Sequence, residues 1–194
     1  MFENFEVKEF EWVKKLKEKQ VVAHGSDFGF TQDPTTLIST IVDLKNKELW
    51  IYDEHYQRGM LTDEIYQMYL DKGLKNAKII ADSAEKRLIT EIKRKGISNL
   101  KPSIKGQGSI MQGVQFIQGF KIYVHPTCEH TIEELNTYTF DQDKDGNWLN
   151  KPIDANNHLM DALRYSLEEF HFPRNNRTNV NIKKNISRAK AMGL

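Results

Sequence analysis

The stretch NHLMDALRYSLEEF, residues 157–170, constrains this chain more than any other. Residues three or four apart on a helix are neighbours, so Leu159, Ala162, Leu163 and Leu167 make one apolar stripe, with His158 and Asp161 on a single turn at its edge. The helix must press onto a core. A carboxylate at the border of that buried face is costly unless something positive compensates it, so Asp161 must have a partner, a metal ion or a neighbour such as Arg164 or Tyr165.

With 194 residues the chain is long enough for one sizeable core and too short for two full domains. A net charge of +1 means that any polyanion must be met by local patches rather than by the overall field. The single cysteine, Cys128, excludes an internal disulfide framework and fits a reducing compartment. No apolar run approaches the roughly 20 residues of a membrane span, and the acidic start MFENFEVKEFEWVKK lacks the form of a signal peptide.

The pattern divides the chain into a linker with a short amphipathic helix (1–19), an α/β domain (20–172) and a basic tail (173–194) that holds Arg174, Arg177, Lys183, Lys184, Arg188 and Lys190, has no acid and reads as flexible. Within the domain, VVAHGSDFG, PTTLISTIVDL and ELWIYDEHY read as three antiparallel strands, with LKNK as a turn. LTDEIYQMYLDKG then reads as a helix with Thr62 as its cap and Gly73 as its stop. AKIIADS, EKRLITEIKRKG, NLKPSIK, SIMQGVQFIQGF, KIYVHP and TIEELNTYTF continue as alternating strands and helices, before a hairpin-like insertion, DQDKDGNWLNKP, and the final helix. Three antiparallel strands followed by this alternation predict a mixed α/β sheet with helices on both faces.

In such sheets sites form at strand ends. Asp27 closes VVAHGS and Asp82 closes AKIIA, both apolar strands. If those strands are neighbours and the last helix crosses them, Asp27, Asp82 and Asp161 converge. Clustered carboxylates repel one another unless cations lie between them. Oxygen ligands select hard ions, Mg²⁺ or Mn²⁺, and two such ions about 4 Å apart suit phosphodiester hydrolysis.

The segments GSDFGFTQDPT, IIADSAEKRLITEIKRKG, SIKGQGSIMQGV and NHLMDALRY resemble, in order, the C-terminal nuclease domain of tailed-bacteriophage (or prophage) terminase large subunits, an RNase H-like fold. The resemblance runs from about Val21 to Phe170. It implies a metal-dependent endonuclease that cuts double-stranded concatemeric DNA during genome packaging in the host bacterial cytoplasm. Asp27, Asp82 and Asp161 would be the metal-binding catalytic acids, with Asp27 bridging two Mg²⁺ or Mn²⁺ ions. His158 would be an accessory catalytic group, and Lys105 of SIKG a phosphate contact. The implied partners are an ATPase domain, a small terminase subunit and a portal protein, with no membrane. No G-x-x-x-x-G-K-[ST] phosphate loop occurs in the sequence, so the ATPase domain is expected to be absent from this chain, as in an excised domain or a truncated prophage product.

Each residue also has an ordinary reading. Asp27 could bond nearby backbone amides, Asp82 or Ser83 could cap the helix that follows, and His158 could be a surface histidine. Lys86 and Arg87, with Lys93, Arg94 and Lys95, could contact DNA or form a solvated helix face. Asp141, Asp143, Asp145 and Gly146 mimic the start of a calcium loop, but its twelfth position is Pro152, so a hairpin turning at Asp-Gly is the better reading. Other readings are a different RNase H-like nuclease, such as a junction resolvase or hybrid nuclease, or a non-catalytic docking domain of a packaging motor.

Overall fold

The computed structural model describes residues 1–16 and 21–171. The basic tail expected from 173 onward lies outside the described residues. In chain order the elements are β1 (Phe5–Val7), α1 (Trp12–Leu16), β2 (Val21–Asp27), β3 (Thr35–Asp43), β4 (Glu48–Gln57), α2 (Thr62–Asp71), β5 (Ile79–Ala81), α3 (Lys86–Lys95), β6 (Leu100–Pro102), α4 (Ser109–Gln118), β7 (Lys121–Val124), α5 (Glu129–Thr137), β8 (Phe140–Gln142), β9 (Trp148–Pro152) and α6 (His158–His171). β1 to β7 form one mixed sheet in the order β1-β7-β4-β3-β2-β5-β6. β2, β3 and β4 are antiparallel, as expected, and the four outer pairings are parallel.

β3 explains the layering. Its side chains alternate between faces: Leu37 enters a core with Ile65, Tyr69, Ile89 and Ile92 of α2 and α3, while Ile38 enters one with Val114, Leu159, Leu163 and Leu167 of α4 and α6. Helices cover both faces, so the central strand is buried on both. The turn between β3 and β4 is made by Asp43, whose carboxylate accepts the Lys45 and Asn46 amides at 3.0 and 2.9 Å.

Two local expectations change. The stretch expected to be linker and short helix contains α1 and also a strand, since β1 pairs in parallel with β7, Phe5 opposite Ile122, and Phe2 is buried in the α6-side core. A three-residue edge strand is too short to show a period of two. At α2 the cap is not the Thr62 side chain: the Leu61 amide donates to the Glu64 carboxylate at 2.7 Å, and Thr62 is already helical. The Asp141–Pro152 segment is the expected hairpin, β8 against β9, with Gly146 at φ +81 in its turn.

Candidate metal centre

Asp27 is the last residue of β2, and β5 lies beside that strand in parallel with Ser26 opposite Ala81. The Asp82 amide extends the ladder by donating to the Ser26 carbonyl at 3.1 Å. The two acids therefore leave the same end of adjacent strands. α6 reaches them because β2 has a glycine at the crossing: a Cβ on Gly25 would collide with the Ala162 carbonyl and press on the Ser166 amide. With no side chain at Gly25, the helix lies directly on the strand. Asp161 and His158, one turn apart, face the strand ends.

Each carboxylate has a basic partner. Lys105 Nζ lies 2.5 Å from Asp82 Oδ1, Arg164 Nη2 is 2.9 Å from Asp161 Oδ1, and His158 Nδ1 is 3.2 Å from Asp27 Oδ2. The ordinary reading of Asp161 as a partner of Arg164 is thus realised, whereas Asp82 does not cap α3, whose N-cap is Glu85 without a side-chain bond; Asp82 Oδ1 instead accepts the Ala84 amide at 3.2 Å, within the turn before the helix. Arg164 is 9% exposed and Lys105 53%. One cation is locked into the protein and the other reaches into solvent. Burial pushes the Asp161 carboxyl above its usual range, and Arg164 opposes that shift. The bond to Asp27 raises the His158 imidazole, with Asp33 adding to it from 3.4 Å on the Nε2 side.

Among the described residues, no group of three or more His, Cys, Asp or Glu side chains stands ready-made as a metal site. The donor chemistry nevertheless suits a hard cation, with three carboxylates and one imidazole at the ends of two strands and a helix. Lys105 and Arg164 contact Oδ1 of Asp82 and of Asp161, so a metal ion would compete with them for those two oxygens. Lys105 can leave by rotating its exposed stem, which makes Asp82 the easier acid to free.

Lys86 and Arg87 sit on the exposed N-terminal turn of α3. Arg87 pairs with Glu91 at 2.9 Å rather than with any of the three aspartates. Two residues near the centre are absent from the sequence reading. Asp33 touches His158, and Glu134 of α5 is buried with Oε2 accepting the Leu159 and Met160 amides at 2.8 and 2.9 Å. Burial raises the Glu134 carboxyl to about 7. In the sequence Glu134 looks like any surface acid of an amphipathic helix, and only the docking of α6 buries it.

A family model described as the terminase RNase H-like domain matches residues 27–169, which span all three aspartates. The chain belongs to this terminase domain family. The PBSX phage terminase large subunit of Bacillus subtilis (strain 168) is 32% identical over 171 residues, covering 86% of this chain and 39% of that protein. The large terminase subunit of Bacillus phage SPP1 is 27% identical over 150 residues, 76% of this chain and 36% of that protein. The chain therefore spans less than half the length of these terminase subunits. Its fold superposes with a TM-score of 0.80 on the SPP1 g2p nuclease domain, a crystal structure with bound Mn, at 24% identity over 87% of this chain and 98% of that one. A more distant likeness, with a TM-score of 0.53 and 17% identity over 78% of this chain and 82% of the other, is to the large terminase nuclease of thermophilic phage G20c with bound magnesium. The expected RNase H-like fold is the observed one.

Proposed function

We propose that this terminase domain is a divalent-metal-dependent endonuclease acting on double-stranded DNA, and that Asp27, Asp82 and Asp161 are its metal-holding acids. The observation that carries the reading is the convergence of Asp27 and Asp82 at the ends of hydrogen-bonded parallel strands, under a helix that brings Asp161 and His158 to the same place. Bacillus phage SPP1 and phage G20c provide terminase nucleases of this fold with bound Mn and magnesium, which supports the choice of ion.

When bound, one or two Mg²⁺ or Mn²⁺ ions supply Lewis acidity and an activated water for phosphodiester hydrolysis. Asp27, Asp82 and Asp161 would hold the ion or ions, with Asp27, whose strand is paired with β5 and crossed by α6, the acid best suited to be shared. His158 holds a proton more readily than a free imidazole because Asp27 bonds its Nδ1, so it can present a charged N–H toward a phosphate oxygen or a leaving oxygen. Lys105 leaves Asp82 for a phosphate. Arg164 stays with Asp161 and opposes the upward shift that desolvation gives that acid. A hollow of about 480 Å³ lined by Lys105, Gly108, Lys151, Asp154, Asp161 and Tyr165 opens beside these groups and gives a strand room to approach.

In the longer subunits that this chain resembles, the domain would act with an ATPase domain, a small subunit and a portal protein on concatemeric phage DNA in the host cytoplasm. Supercoiled plasmid incubated with Mn²⁺ or Mg²⁺ tests the chemistry. Nicking and linearisation that need metal and vanish in both Asp27→Asn and Asp161→Asn support the proposal. Cleavage that survives both substitutions refutes the assigned acids, and preference for an RNA-DNA hybrid over duplex DNA replaces the substrate.

A further inference from the structure

The first turn of α6 carries two of the groups on which the proposed chemistry rests, and it is gripped from two sides. From α5, Glu134 Oε2 accepts the Leu159 and Met160 amides, two of the donors that a helix start leaves unpaired. From β3, the Thr36 hydroxyl donates to the His158 carbonyl at 3.1 Å, and Thr36 is the residue directly opposite Asp27 in the β2–β3 ladder. Both gripping side chains are buried, Thr36 at 0% and Glu134 at 4% exposure.

A carboxylate is an expensive choice for this task. An uncharged cap on α6 itself would satisfy the same amides without desolvating a charge. The second oxygen, Oε1, is buried without a hydrogen-bond partner, so the site accepts a cost that packing does not require. In return the helix start gains an acceptor that is negative whenever it is ionised, opposite its positive dipole end, and that group comes from a different element, which fixes the turn in three dimensions.

We propose that Glu134 is a positioning residue, which with Thr36 locks the first turn of α6 so that His158 and Asp161 are held in register with Asp27. The proposal rests on the metal-acid reading above for its consequence, and on geometry alone for the clamp. Glu134 touches neither substrate nor metal in this scheme. It acts through the backbone that carries those that do.

The test uses the full chain and two readouts, Mn²⁺ affinity by calorimetry and amide hydrogen exchange at Leu159 and Met160. Glu134→Ala should weaken Mn²⁺ binding about 10- to 100-fold, the usual effect of removing a group that orients a metal ligand, and should speed exchange at both amides. Glu134→Gln keeps a carbonyl acceptor of the same shape and should recover most of the loss. Leu135→Ala, a fully buried neighbour on the same helix, controls for simple destabilisation and should leave Mn²⁺ affinity unchanged below its unfolding temperature. Wild-type affinity in a folded Glu134→Ala variant, or an equal loss in Leu135→Ala, overturns the proposal. A wild-type chain that binds no Mn²⁺ overturns the metal reading instead, and the clamp is then decided by exchange alone: unchanged protection of Leu159 and Met160 in Glu134→Ala refutes it.

Discussion

Two acid-arginine pairs about one helical turn apart, Asp161–Arg164 on α6 and Arg87–Glu91 on α3, look equivalent in the sequence and have the same 2.9 Å separation in the structure. The Arg164 side chain is 9% exposed and that of Arg87 is 90% exposed. On α3 the pair lies in water, where such contacts contribute little. On α6 the arginine is buried and the carboxylate, 21% exposed, is only partly hydrated, so each depends more on the other. Chemical potential in this domain follows burial of charge rather than its density, and the Lys/Arg-rich helix is the less informative of the two.

The sharpest break between the two regions should come from activity. Asp161→Asn is expected to lower metal-dependent plasmid nicking by at least about a hundredfold, the upper end of what even an orienting group costs, whereas Glu91→Gln should leave it unchanged. A wild-type rate for Asp161→Asn would place the two pairs in one class.

Stability should divide the regions next. Arg164→Leu strands the buried Asp161 charge and should cost about 3 kcal/mol in chemical denaturation, with part of it recovered when Asp161→Asn is added. Arg87→Leu should not move the midpoint. Gly25→Ala is expected to cost about 2–3 kcal/mol, because α6 must lift from β2 to make room, while Gly59→Ala meets no atoms within 4 Å and is strained only by its φ of +74.

Protonation sharpens the contrast further. His24, on β2 with its ring against Ser39 on the sheet face away from α6, has its imidazole lowered to about 4 by burial, against the weaker pull of Asp53. Its folded value lies below the unfolded one near 6.5, so the neutral ring's contribution is complete above pH 6.5 and is lost as pH falls toward 4. The linkage amounts to about 3 kcal/mol at most. Thermal unfolding from pH 7.5 to 4.5 should show this slope, and His24→Asn should flatten it. The smallest effect is expected from Lys86→Gln with Arg87→Gln, which should barely change nicking, whereas Lys105→Ala should slow it measurably at moderate salt. A larger effect from the α3 pair would restore that helix as a DNA contact.

The sequence carried the fold because its strands and helices are long enough to show their periods: β3 and β4, α3 ending at Gly96, and α6 all stand where their patterns place them. It also carried the three aspartates, because two close apolar strands and one sits at the edge of an apolar helical stripe. What it could not show depends on pairing across the chain. β1 has no period of its own and exists only beside β7. The Glu134 carboxylate acquires its role from amides 25 and 26 residues away, and Lys105 from an acid on another strand end. The α3 cations show a further limit, since local clustering alone does not separate a DNA contact from a solvated helix face, the two readings the sequence offered for them.

The crossing of α6 over β2 also sets an order in time. Asp27 and Asp82 come together once β2 and β5 pair, but Asp161 arrives only when α6, the last described element, has been made and has settled onto Gly25. At ribosomal rates of roughly 5–20 residues per second, the about 80 residues between Asp82 and Asp161 take seconds to emerge. Throughout that interval the nascent chain holds two of its three acids and cannot assemble the complete centre. The proposed centre is thereby incomplete until α6 has been made and has docked, which delays a reaction that threatens any DNA nearby without needing an inhibitor.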